Sequence, residues 1–174
     1  MPFLLTPDEY HCVEPNKFLI DSSLVESKPT NLYFRNDFCA EFQIQKLFDI
    51  IVGHSVMSHA GIKQWHNFFR SLNHHLAVNG VALVSVCICN PCEMNPRQHE
   101  TNKEDICLDS NDMEWVYPYV SYWKLSTLKN IAKTYELEII RRNDLRDIMI
   151  EHSPADNHDW ISLTKRKQAV KARP

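Results

Sequence analysis

One stretch of this chain constrains the fold more than any other. Ile62, Trp65, Phe68, Phe69, Leu72 and Leu76 recur at the three- and four-residue steps of a single helix face. Asn79-Gly80 comes next, and Val81-Ala82-Leu83-Val84-Ser85-Val86 then runs on with no polar alternation. A strand that is apolar on both sides needs cover on both faces, the usual condition of a parallel sheet flanked by helices. The pattern predicts a helix over 62–76, stopped by Gly80 in a left-handed conformation, and a buried strand over 81–86.

The rest of the chain repeats this alternation. Tyr10 to Val13, Leu32 to Phe34 and Phe48 to Val52 read as strands, ending at Glu14-Pro15, Asn36-Asp37 and Gly53-His54-Ser55. Asn16 is placed to cap a helix carrying Phe18, Leu19, Ser22 and Val25. Leu125, Leu128, Ile131, Ala132 and Tyr135 mark another helix, and Ile139-Ile140 and Trp160 to Leu163 two late strands. The polar stretch Asn90 to Glu114 has no period and reads as a long loop. The expected fold is α/β, Rossmann-like, with a mostly parallel sheet and helices on both faces. One domain is expected over 1–164, followed by a basic tail over 165–174.

Glycine scarcity excludes a whole class of sites. The 174 residues contain only three, Gly53, Gly61 and Gly80, where average usage of about 7% would give about 12. No phosphate-cradling loop can be written with them. Five of the 19 basic residues fall in the last ten positions; without these the chain has 14 basic against 22 acidic residues, a net of −8. A body that acidic does not suit nucleic acid, and the tail reads as a solvated end. No apolar run approaches the ~20 residues of a bilayer span. Met1 to Glu9 lacks the basic start and apolar core of a secretion signal. A cytoplasmic protein with reduced thiols is therefore expected from its six cysteines.

In α/β sheets, ligands bind where strands end at their carboxyl side. Those positions hold Glu14, Asp37, His54, Ser55 and the loop after Val86. Each has a plain structural alternative: Glu14 beside a helix N-terminus, Asp37 in a turn, His54 and His59 packing at a helix entry. Imidazole titrates near neutral pH, so His54 and His59 are also the candidate general bases. Cys87, Cys89 and Cys92, with His99 and Cys107 downstream, have spacing that thiolates use for zinc. Cys87 and Cys89 share one strand face, however, where cysteine packs as a small apolar residue, and no metal is expected. Cys89-Asn90-Pro91-Cys92 resembles a redox dithiol, but Glu93 to Gln98 carry no apolar stripe and Pro96 would break a helix there. Trp115, Tyr117, Tyr119, Tyr122 and Trp123 form an aromatic cluster read as core and pocket wall.

The run from Phe48 to His59, with its amphipathic helix, Asn79-Gly80 and apolar strand, resembles the fourth-strand region of class I S-adenosylmethionine-dependent methyltransferases. Val13-Glu14-Pro15-Asn16 resembles that family's second strand and its acidic end. Trp115 to Val120, followed by Leu125 to Leu137, is similar to the late strand and helix on the substrate side. The resemblance runs from about Tyr10 to Lys165. It implies S-adenosyl-L-methionine as cofactor, with Glu14 accepting from both ribose hydroxyls, Asn16 beside it, Asp37 on the adenine amino group and Phe38 against the ring. His54 and Ser55 would lie where the methionine part meets a small-molecule methyl acceptor, with His54 or His59 as general base.

The chain departs from the family at its start. The first strand and its Gly-rich turn have no counterpart here, so the resemblance implies an N-terminally truncated domain. The missing strand lies mid-sheet in the family, and its loss would open two inner edges to association. Two functions are compatible with this: methyl transfer to a small molecule, or a non-catalytic partner-binding relative that self-associates through its open edges.

Overall fold

The computed structural model describes residues 9–14, 31–34, 44–88, 106–107, 120–144 and 158–166. The chain divides into two compact units, Met1–Ala40 and Glu41–Pro174. In the first, β1 (His11–Glu14) and β2 (Asn31–Phe34) pair in parallel, with Glu14 opposite Phe34. The second unit runs β3 (Phe48–Gly53), α1 (Ile62–His75), β4 (Leu76–Ile88), β5 (Ile106–Cys107), β6 (Ser121–Trp123), α2 (Leu125–Thr134), β7 (Leu137–Arg141) and β8 (Asp159–Lys165). The helix expected after Asn16 and the strand expected over 115–120 lie outside the described residues, apart from Val120, which is not in a strand.

The strands of the second unit lie in the order β5-β6-β4-β8-β7, with β3 also beside β4. Every described pairing is parallel except those of β8, which runs antiparallel to β4 and to β7. The mostly parallel α/β sheet is therefore present. Register places Ala82, Val84, Ile161, Leu163, Leu137 and Ile139 on one face, all buried. Helices α1 and α2 cover that face: Phe68 of α1 lies beside Val84 on the side where a Cβ on Gly53 would project, and α2 packs on β7. On the opposite face Ile50, Val52 and Ile140 are exposed. Helices on both faces were expected; the two described helices lie on the same one.

The core centres on Trp65, fully buried in α1. Its ring lies 5.1 Å from Phe69, 6.1 Å from Phe68 and 6.5 Å, edge-on, from Trp123 of β6. Edge and tilted arrangements of this kind place ring edges against the electron-rich faces of neighbours. Most of the predicted stripe of α1 therefore forms the core; Ile62, in its first turn, is only half-buried. Among the described residues no helix is long and apolar enough to cross a membrane.

Gly80 does not stop the helix. Helix α1 ends at His75 and β4 begins at the next residue, five positions earlier than the apolar run predicts. Leu76 pairs with Phe48 and the ladder resumes with Val81 opposite Ile50, so residues 77–80 bulge out of register. No described glycine has a positive φ. What Gly80 supplies is close approach: a Cβ there would sit 2.8 Å from the carbonyl oxygen of Phe48 and 3.1 Å from the amide nitrogen of Ala77. These are backbone atoms, which cannot rotate away as a side chain does. Gly80→Ala is therefore expected to lower the stability of this unit by roughly 1–3 kcal/mol, the range for forced overpacking, measured by denaturant unfolding.

The two helices meet at His66, whose Nδ1 lies 2.9 Å from the hydroxyl of Tyr135. Burial, with a smaller contribution from the Arg70 guanidinium, holds the His66 imidazole below its usual value. As pH falls through about 6.5, the unfolded chain takes up this proton before the folded one does. The contribution of neutral His66 is thus complete above that range and declines below it. His66→Gln, which keeps a polar partner for Tyr135, should flatten the fall in stability between pH 7 and 5.5 in paired urea titrations.

Candidate functional site

At its carboxyl end β3 leaves the sheet through an unusual turn. Gly53 is the last strand residue, His54 is next, and Ser55 adopts φ 57°, a left-handed conformation that a non-glycine residue seldom takes. Such a position costs of order 1 kcal/mol and persists only where its surroundings hold it. Two anchors do so here. The Ser55 amide donates to Oγ of Ser85, a fully buried residue of β4, at 2.6 Å. Beyond the turn, the 3-10 segment Met57–His59 is fixed from β6: Ser121 Oγ reaches the carbonyl oxygens of Ser58 and Ala60, both at 3.0 Å, and Trp123 Nε1 donates to Ala60 at 3.2 Å.

The turn presents His54 to solvent with one face covered. Its ring stacks on Trp160 of β8, centroids 5.5 Å apart and planes within 4°, and meets the ring of His158 edge-on at 5.8 Å. Trp160 lies opposite Ser85 in the β4–β8 ladder, so one ladder position orients both sides of the turn. Trp160 is 7% exposed, and its indole N–H has no hydrogen-bond partner among the described residues. The neighbouring Asp159 faces the other way. Its carboxylate takes Arg141 at 2.7 Å and the amide of Ile88, the last residue of β4, at 3.2 Å. It thereby terminates β4 at the same end of the sheet.

The structure thus brings His54 and Ser55 together with Ser85, His158 and Trp160. His59 closes the 3-10 segment, half-buried. Glu14 is the final residue of β1, while Asn16, Asp37 and Phe38 lie outside the described residues. His158 and Trp160 escaped sequence reasoning. The strand from Trp160 was legible, but nothing local signals that it inserts antiparallel beside β4 and so arrives next to His54. Among the described residues no group of three or more His, Cys, Asp or Glu side chains is placed to hold a metal. Cys87 is buried in β4, and Cys89, Cys92 and His99 lie outside the described residues. A shallow cleft of about 520 Å³, lined in part by Asn79, Gly80, Glu138 and Lys165, opens at the opposite end of the sheet.

No protein-family model matches the chain, and no curated protein is similar to it in sequence. Solved structures are similar in fold. A methyltransferase, CcbJ from Streptomyces caelestis, superposes with a TM-score of 0.60 at 12% identity, over 91% of this chain and 75% of that one. The O-methyltransferase from a trans-AT PKS multienzyme of Brevibacillus brevis, solved with S-adenosyl-L-homocysteine, gives 0.53 at 16% identity, over 90% and 58%. Human N-acetylserotonin methyltransferase, solved with SAM, gives 0.56 at 8% identity, over 89% and 40%. The fold is that of the class I methyltransferases.

This chain spans 58% of the Brevibacillus protein and 40% of the human one. Within the fold, the His54 turn lies just past the carboxyl end of a parallel strand, where α/β sheets bind ligands, and the cleft at Gly80 lies at the other end. Ser85→Ala removes the acceptor that holds Ser55 and leaves its part-buried amide without that partner. It is expected to lower stability by about 1–2 kcal/mol and to increase hydrogen exchange at Ser55, observable by mass spectrometry.

Proposed function

We propose that this chain is a cytoplasmic, S-adenosyl-L-methionine-dependent methyltransferase acting on a small-molecule acceptor. One observation carries the reading: Glu14 ends β1, and His54 and Ser55 directly follow β3, both at carboxyl ends of parallel strands. The fold shared with methyltransferases solved with SAM or S-adenosyl-L-homocysteine supports it.

The residue types fit the cofactor's adenosine half. A carboxylate at position 14 accepts from two adjacent ribose hydroxyls at once, with the Asn16 amide two residues on. Asp37 accepts from the adenine amino group, and Phe38 offers its ring to the base. His54 and Ser55 serve the methionine part and the acceptor. The bound sulfonium supplies an electrophilic methyl group. The residues then have mainly to hold the acceptor nucleophile in line with it, which accounts for most of the acceleration in such transfers. His54, or His59, takes the proton that the nucleophile releases. The close backbone approach that glycine permits in a Gly-rich turn has no counterpart among Gly53, Gly61 and Gly80.

Calorimetric titration with S-adenosyl-L-homocysteine tests this directly. Binding in the micromolar range is expected, weakened at least about tenfold by Glu14→Ala. Absence of binding, or affinity indifferent to Glu14, overturns the assignment.

A further inference from the structure

We infer that Trp160 is a positioning residue, whose indole face fixes the ring of His54 at the proposed methyl-transfer site. The inference rests on the reading of His54 given above and adds the residue that holds it. The backbone of His54 is fixed on both sides. Gly53, before it, pairs with Val84 in the β3–β4 ladder, and the amide of Ser55, after it, donates to Ser85 Oγ at 2.6 Å. Two side-chain torsions then decide where the imidazole nitrogens point, and an exposed side chain ordinarily samples several staggered wells. Trp160 selects among them: the rings lie with centroids 5.5 Å apart and planes within 4°, the offset-stacked geometry that aromatic pairs favour. The ring nitrogens act in the plane of the imidazole, so a stacked neighbour orients them without occupying their hydrogen-bonding directions.

The platform is itself held. Trp160 is buried in β8, opposite Ser85 of β4, and its carbonyl oxygen accepts the amide of Arg142 at 2.7 Å from the β7 side. Side chains alternate along an extended chain, and here His158 and Trp160 both meet His54 while Asp159 turns to the other face. His158 reaches the His54 ring edge-on at 5.8 Å. Asp159 takes Arg141 at 2.7 Å and the Ile88 amide at 3.2 Å, a clamp on the strand end from which both rings reach His54. A base must lie within about 2.6–3.2 Å of the proton it removes, and a displacement of about 1 Å can cost about a hundredfold in rate. An indole face that leaves the imidazole one orientation meets that requirement.

The test compares Trp160→Leu, which removes the flat face, with Trp160→Phe, which keeps a smaller one. In carbon–proton NMR spectra of the histidine rings, the ring current of the stacked indole should place the His54 signals upfield; their loss in His54→Gln assigns them. Trp160→Leu should move them to the positions of an exposed histidine, and Trp160→Phe should keep part of the displacement. The His66 ring, which meets Tyr135 between α1 and α2, should be unchanged in both and reports an intact fold. If Trp160→Leu does not fold, Trp160→Phe decides, since the displacement must shrink with the smaller ring. Trp160→Leu is also expected to weaken S-adenosyl-L-homocysteine binding at least about threefold, and to change it little in a chain already carrying His54→Gln, the non-additivity of residues that act as a unit. His54 signals indifferent to Trp160 overturn the proposal. So does an effect of Trp160→Leu on binding that persists undiminished beside His54→Gln. A chain whose His54 signals respond to Trp160 but which binds no S-adenosyl-L-homocysteine keeps the stack and overturns the cofactor reading instead.

Discussion

Strand β4 is the constraint on which the second unit depends. It pairs with β3, β6 and β8, and Ala82, Val84, Ser85 and Val86 are all fully buried. Its apolar face anchors α1, and its antiparallel partner β8 supplies Trp160 and Asp159. A strand with neighbours on both edges has its backbone groups satisfied internally, so its side chains are free to be apolar on both faces. Ser85, the one polar residue in that interior, is the exception, and its hydroxyl accepts the amide of Ser55. A single buried oxygen therefore links the centre of the sheet to the turn bearing His54.

Much of the fold was legible. Trp65, Phe68, Phe69 and Leu72 read as a helix stripe and form the core, because periodicity records which side of a helix is dry. The strands at β3, β7 and β8 fell within a few residues of their apolar runs. Gly80 was legible as a constrained position, but for the wrong reason. Sequence suggests a helix stop, whereas the structure has Gly80 in a bulge where the carbonyl of Phe48 leaves no room for a Cβ. Close approach between segments of backbone is a tertiary event with no local signature.

The candidate site divides in the same way. His54 and Ser55 were marked by their position after a strand, a local property. The company they keep was not: His158 and Trp160 arrive from more than a hundred residues away. Their strand inserts antiparallel between β4 and β7, a choice that the apolar pattern of Trp160 to Leu163 does not encode. The left-handed backbone of Ser55 marks this turn as locally unfavourable ground, the condition in which binding sites are often found.

By itself the sequence determined the class of fold, the identity of most strands and helices, the absence of a phosphate loop, and the residues just past the strand ends. Each of these depends on spacing along the chain, where hydrophobic period and glycine count act directly. Only the tertiary structure decided that β8 lies antiparallel between β4 and β7 and that α1 and α2 share one face. Those outcomes depend on which distant segments exclude water from one another, and a linear pattern states how much surface must be covered without stating by what.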